Sequence, residues 1–217
     1  MVYYRRTTPI FMHISNINQN YTKLEQLLSG GQKVFSLDDL VLIWSESNRT
    51  KVSDLARWYI NQNKLFRIKS GLFSLFDPTL GISRDDQLIM AQKLVTPSYI
   101  SYHTALSQFG INFQYYSSIH SCSLINKEII IGNHTFVFHK IEPEIFFNPL
   151  GITKNELGLD WASPERAVCD SWYINAGLGL DNIANLNLDL LLQIAQVYNK
   201  PRIWRNLKLI FGINKPK

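Results

Sequence analysis

A chain of 217 residues, 46% hydrophobic, is long enough to bury one large core or two small ones, and it has the composition of an ordinary globular protein rather than a disordered or fibrous one. Lys and Arg number 22 against 17 Asp and Glu, a net charge of +5. Two cysteines, Cys122 and Cys169, stand far apart without C-x-x-C spacing, which argues against a zinc or dithiol site; no metal or cofactor is expected.

The positive charge is unevenly placed. Residues 1–80 carry ten basic and six acidic side chains, whereas residues 81–217 carry twelve and eleven, so the surplus lies in the N-terminal part and suits a polyanionic partner. The start, MVYYRRTTPIFMH, has no apolar run of signal-peptide length, and no stretch approaches the roughly 20 apolar residues of a membrane span. A cytoplasmic protein with reduced thiols and no membrane partner is the expectation.

In chain order, Tyr21 to Leu28 reads as a short helix ended by Ser29-Gly30-Gly31, and Lys33-Val34-Phe35 as an extended link. Ser36, with Asp39 three residues on, opens a second helix carrying Leu37, Leu40, Val41 and Trp44. After a turn at Ser45–Arg49, a third helix is predicted over Thr50 to Gln62. Its apolar positions Val52, Leu55, Ala56, Tyr59 and Ile60 define the buried face, leaving Lys51, Asp54, Arg57, Trp58 and Asn61 outward and Arg49 and Thr50 at the exposed start. Leu65 to Phe76 alternates on both sides of Lys69-Ser70-Gly71, the pattern of a tight hairpin.

Three short helices and a hairpin are the order of a winged helix-turn-helix, in which the helix after the turn enters the major groove of double-stranded DNA. The DNA-binding residues expected on that basis are Arg49, Thr50, Lys51, Arg57 and Asn61 in the groove, with Arg67 and Lys69 on flanking phosphates. Arg5-Arg6 would add contacts from the N-terminal arm. The other reading is a protein-docking module of the same fold.

The turn-rich Asp77-Pro78-Thr79-Leu80-Gly81 marks a boundary, giving an N-terminal arm and DNA-binding domain over 1–80 and a second domain over 81–217. In the second, Asp85 to Leu94 reads as a helix and Pro97 to Gly110 as a proline-initiated helix. Strands follow at Cys122–Ile125, Glu128–Ile131 and Thr135–Lys140, the last two joined by a Gly132-Asn133 turn. Helices are predicted from Pro164 on, over Leu186–Tyr198 and over Pro201–Phe211. Without βαβ alternation the fold class is α+β.

Candidate chemistry in this half is sparse. Arg166 and Asp170 are spaced i, i+4 and read as an ion pair. Ser98, Tyr99 and Ser101 read either as a polar recognition edge or as the packed start of a helix. His103 near Ser101 and Ser107 has no evident orienting acid, His134 and His139 fall on opposite faces of one strand, and carboxylates do not cluster as metal-assisted hydrolysis needs, so no catalytic residue and no enzyme is expected. The C-terminal segment is amphipathic, with Ile203, Leu207 and Ile210 inward and Arg202, Arg205 and Lys208 forming a second positive patch.

Three stretches carry a resemblance: Lys69-Ser70-Gly71-Leu72-Phe73-Ser74-Leu75, Pro97-Ser98-Tyr99-Ile100-Ser101 to Gly110, and Ser163-Pro164-Glu165-Arg166-Ala167 to Asp170. Together they resemble the AbiEi family of antitoxins from bacterial abortive-infection (type IV) toxin–antitoxin systems, over most of the chain. His103-Thr104 stands where that pattern has a small Ser-Ala-like pair, and Arg166 where lysine is common. The resemblance implies a repressor that binds inverted repeats in its own promoter, with a C-terminal domain that counters a nucleotidyltransferase-type toxin, usually without a stable complex. Ser98, Tyr99, Ser101, Arg166, Arg202, Arg205 and Lys208 are then the candidate antitoxin surface. A solitary regulator without a toxin is the alternative.

Overall fold

The computed structural model describes residues 22–215. Arg5-Arg6, His13 and Tyr21 lie outside them. The chain divides into two compact units on either side of the Pro78–Thr79 bond, inside the Asp77–Gly81 turn. Both units combine helices and sheet, so the fold is mixed α+β.

The first unit begins with α1, whose described part covers residues 22–29. There follow β1 (Val34–Ser36), α2 (Leu37–Ile43), α3 (Arg49–Asn61), β2 (Phe66–Lys69) and β3 (Leu72–Ser74). Ser36 starts α2 with a full capping box: its side chain accepts from Asp39 N at 3.1 Å while Asp39 Oδ2 accepts from Ser36 N at 2.7 Å. Asn48 caps α3, its Oδ1 accepting from Thr50 N and Lys51 N at 3.0 and 3.2 Å.

The segment expected as an extended link is a strand. Val34 and Phe35 pair antiparallel with Ser74 and Phe73, making a three-stranded sheet of order β1-β3-β2. β3 is therefore the central strand and is buried throughout, while β2 at the edge keeps its alternation. Leu27, Phe35, Leu40, Trp44, Val52, Ala56, Tyr59, Leu65 and Phe73 form one core. Trp44 Nε1 donates to Lys23 O at 2.9 Å, which pins α1 against the turn between α2 and α3.

The second unit is a six-stranded mixed sheet of order β6-β7-β5-β4-β9-β8 with helices. Its elements are α4 (Arg84–Leu94), β4 (Ser98–Ile100), α5 (Tyr102–Gln108), β5 (Ile119–Ser123), β6 (Lys127–Ile131), β7 (His134–Lys140), α6 (Pro143–Phe146), β8 (Ile152–Lys154), β9 (Asp160–Ala162), α7 (Pro164–Ile174), α8 (Leu188–Tyr198) and α9 (Pro201–Phe211). Pro97 does not start a helix. Ser98-Tyr99-Ile100 is a strand paired on both sides, antiparallel to β5 and parallel to β9, and that ladder takes the backbone groups a helix would have used.

α7, opened by Ser163 as N-cap and Pro164 in its first turn, is buried almost end to end and packs against α5, α8 and α9. The β6–β7 turn lies against the start of the unit. Gly132 adopts φ +56°, and a Cβ there would fall 2.6 Å from Thr79 Cα, so no other residue fits without moving backbone. Both cysteines are buried and unbonded, and burial pushes their thiols well up. Among the described residues no helix is long and apolar enough to cross a membrane.

Candidate functional site

α3 carries three exposed cations of the first unit. Its register buries Val52, Ala56 and Tyr59 and leaves Arg49, Thr50, Lys51, Arg57 and Asn61 exposed; Arg67 and Lys69 are exposed on β2. Each of the three α3 cations meets a carboxylate of the same unit. Arg49 pairs with Asp38 of α2, Lys51 Nζ lies 3.9 Å from Glu46, and Arg57 Nη1 lies 3.2 Å from Asp54. The cationic side chains keep 59%, 71% and 62% of their surface in water, so these are screened pairs that an incoming phosphate can displace at little cost. Trp58, expected outward, is half-buried: its ring meets Tyr59 edge-on at 5.1 Å and covers the core from the side.

The candidate antitoxin surface does not hold together. Ser98, Tyr99, Ser101 and Arg166 are all buried, and Arg166 has no exposed surface at all. Buried, they cannot be a recognition surface: Ser98 Oγ donates to Val95 O at 2.7 Å, and the other three converge on Asp170. Asp170 Oδ1 accepts from Tyr99 Oη at 3.0 Å and from Tyr198 Oη, and its Oδ2 accepts from Ser101 Oγ at 2.6 Å. Ser101 stands at the N-cap of α5 but makes no side-chain capping bond, its hydroxyl being turned to Asp170.

Arg166 closes the network from the other side. Nη2 donates to Tyr99 Oη at 3.1 Å and Ile145 O at 2.8 Å, and Nη1 to Asn148 O and Leu150 O at 3.2 and 3.1 Å. Its Nε lies 3.7 Å from Asp170 Oδ1, an ion pair without a hydrogen bond. Burial works against the charge, but Tyr198, Asp170 and Tyr99 outweigh it and raise the guanidinium above its ordinary range. Burial, with the Asp170 charge, drives the phenols of Tyr99 and Tyr198 well up. Glu165 is spent locally: Oε2 accepts from Ser163 Oγ and Oε1 from Asn187 N, both at 2.9 Å. Gly151, at φ +77°, passes so close that a Cβ would lie 2.9 Å from Arg166 Cβ. Such a network fixes architecture; no part of it is open to a substrate.

The remaining candidates, Arg202, Arg205 and Lys208, are all exposed on α9; Arg202 donates to Tyr173 O at 2.7 Å and its guanidinium sits 5.7 Å from the Tyr173 ring. α9 packs through Ile203, Trp204 and Leu207, with Ile210 half-buried.

A cluster of rings in the second unit was not legible in the spacing of its members. His120 Nδ1 and His139 Nε2 are 3.0 Å apart with rings stacked at 9°, and His120 Nε2 meets Ser118 Oγ at 2.8 Å. His103 stacks on Tyr116, centroids 3.9 Å apart, and Tyr102 touches all three histidines. Burial lowers His103 to about 4, His120 to about 3 and His139 to about 4, with neighbouring His and Arg84 charges adding to the shift of His120. Parallel pairing of β5 with β7 sets His120 opposite Val137 and His139 opposite Cys122, so the two histidines are diagonal neighbours on one face, and only the topology reveals it. Among the described residues no group of His, Cys, Asp and Glu is arranged to hold a metal ion.

No protein-family model matches this chain, and no curated protein matches it. Among solved structures it is similar to the crystal structure of the RV2827C protein from Mycobacterium tuberculosis, at 14% identity and a TM-score of 0.55, over 88% of this chain and 76% of that one. At that identity the likeness speaks for the fold alone.

Proposed function

We propose that the first unit is a winged helix-turn-helix that binds double-stranded DNA, with α3 in the major groove and the β2–β3 hairpin as the wing. The observation that carries this reading is the coincidence of element order with charge. A helix pair and a hairpin follow one another, and Arg49, Lys51, Arg57, Arg67 and Lys69 are exposed on the second helix and the wing. Thr50 and Asn61 on the same helix offer hydrogen bonds that set register on phosphates or base edges.

On this reading the protein is a cytoplasmic repressor without catalysis of its own. It recognises inverted repeats ahead of its own operon, and it serves as an antitoxin of the AbiEi kind against a nucleotidyltransferase-type toxin. The sequence resemblance supports the antitoxin part. The burial of Ser98, Tyr99, Ser101 and Arg166 moves any toxin-countering surface elsewhere in the second unit, with Arg202, Arg205 and Lys208 of α9 the exposed candidates.

Mobility shift on the upstream DNA tests the groove assignment: binding that weakens steeply with salt and falls on replacing Arg49, Lys51 and Arg57 by alanine is expected, and unchanged affinity of that triple variant overturns it. Rescue of growth arrest caused by a neighbouring nucleotidyltransferase-like gene tests the antitoxin role. One observation favours a second reading, a protein-docking adaptor: each α3 cation already has a carboxylate beside it. An adaptor would show only weak, sequence-independent DNA binding.

A further inference from the structure

A cleft of about 380 Å³ opens in the second unit between α4, α5 and the loop joining α5 to β5. Its walls are aromatic: Tyr115, Tyr116 and Trp161 line it together with His103 and Thr104. Arg84 supplies the charge, and no carboxylate is among the lining residues. A neighbouring cleft that shares Trp161 is lined instead by Asp85, Lys154 and Glu156, so the absence of acid is particular to this one.

The loop is built to hold its rings out. Phe113 N donates to Asp181 Oδ2 at 2.8 Å, Gln114 N to Asn112 Oδ1 at 2.8 Å, Ser107 Oγ to Gln114 O at 3.1 Å and Tyr116 Oη to Gln114 Oε1 at 2.7 Å. Despite this anchoring, Phe113 and Tyr115 remain 72% and 81% exposed. Large aromatic rings carried in water on an anchored loop offer a stacking platform to a planar ligand. Tyr116, by contrast, is already stacked on His103 and forms the floor.

Two polar features point to what the platform takes. Arg84 is held at the rim through Nη1 to Ser117 O at 2.9 Å, half withdrawn from water, where a guanidinium binds an anion more strongly than on open surface. His103 is 92% buried, given its 8% relative exposure, and its Nδ1 has no hydrogen-bond partner, an unmet demand in a wall of the cleft.

A planar ring to stack, an anion for Arg84 and a polar edge for His103 are together the chemistry of one ligand class. We propose that this cleft is a nucleotide site, with the base stacked at Tyr115, the phosphate at Arg84 and a polar group of the nucleotide at His103. The nucleotide is either free or one unit of a single strand. The site is separate from α3 and stands whether or not α3 binds duplex.

The test is titration of the full-length protein, followed by intrinsic fluorescence and calorimetry, with the four ribonucleoside monophosphates and with a six-nucleotide single-stranded RNA. Saturable binding that weakens about tenfold in Tyr115→Ala and in Arg84→Gln is expected. Tyr115 is exposed, so its variant should melt at the wild-type temperature. Binding of monophosphates identifies a free nucleotide; binding of the oligomer alone identifies the strand. The Arg49, Lys51 and Arg57 triple alanine variant should keep this binding whatever it does to duplex affinity. No saturable binding of either probe up to 10-fold the concentration expected for a millimolar site, or binding lost in the α3 triple variant and kept in Tyr115→Ala, overturns the proposal.

Discussion

On α3 of the first unit, Arg49, Lys51 and Arg57 each meet a carboxylate in water; on α7 of the second, Arg166 and Asp170 meet with no access to water at all. The two arrangements use the same residue types for opposite ends. Exposed pairs are worth at most about 1 kcal/mol, so their partners are exchangeable and the helix remains available to another anion. The buried pair is satisfied from three chain segments, 99–101, 145–150 and Tyr198, and losing one member strands the other without water. Charge placed at the surface allows exchange, whereas charge placed in the core fixes a geometry.

The largest effect should come from breaking the buried side. Asp170→Ala should cost about 3–5 kcal/mol, read by urea unfolding of the full chain, because Arg166 is left unpaired in the core. Replacing both partners with apolar residues, Arg166→Met with Asp170→Leu, should recover part of that loss, since the uncompensated charge is then gone.

The exposed side answers to salt rather than to denaturant. Arg49→Ala, Lys51→Ala and Arg57→Ala together should leave stability within about 1 kcal/mol while flattening the log K against log salt slope by roughly 2–3, if all three meet phosphates. A wild-type slope would remove them from the interface.

Acid should separate the two units again. His103, His120 and His139 titrate in the folded protein near 4, 3 and 4, below their ordinary 6.5, so between these values the unfolded chain binds more protons than the folded one. Their contribution to stability is therefore complete above pH 6.5, falls as pH drops through the window from 6.5 to about 3, and levels off below it. Urea midpoints measured from pH 7.5 to 4 should show the second unit losing stability first, and His139→Phe should shallow the slope.

The smallest effect is also the sharpest comparison. Asp54→Asn should change stability by less than about 0.5 kcal/mol. It should nevertheless tighten duplex binding a few-fold if Arg57 faces phosphate, and leave it unchanged if α3 docks a protein.

Features governed by near neighbours were legible in the amino-acid sequence. The Ser36–Asp39 capping box, the buried face of Val52, Ala56 and Tyr59, and the bounds of Pro201–Phe211 all follow from contacts within a few residues, where propensity and periodicity operate. What was not legible depends on strands arriving from elsewhere. Pro97 reads as a helix start until β5 and β9 are known to flank Ser98–Ile100, and Lys33–Phe35 reads as a link until β3 lies beside it. Arg166 and Asp170 were rightly paired by their i, i+4 spacing, but burial is a property of everything packed around α7, so a surface role was a natural misreading of Arg166. The histidine cluster is the extreme case: its members share no local pattern, and the β5–β7 pairing alone brings His120 to His139.

Asp170 has one further consequence, for how the chain is made. Its partners Tyr99 and Ser101 precede it by about seventy residues, but Tyr198 follows it by 28. A ribosome releases the chain from its N-terminus, so the first unit and the strands β4 to β9 emerge while this carboxylate still lacks one of its donors. The bonding of Asp170 can therefore be completed only once α8 is out of the exit tunnel. A transcript cut short before Tyr198 would yield a chain with an intact α3 and an unfinished core, a natural substrate for proteolysis rather than a half-working protein.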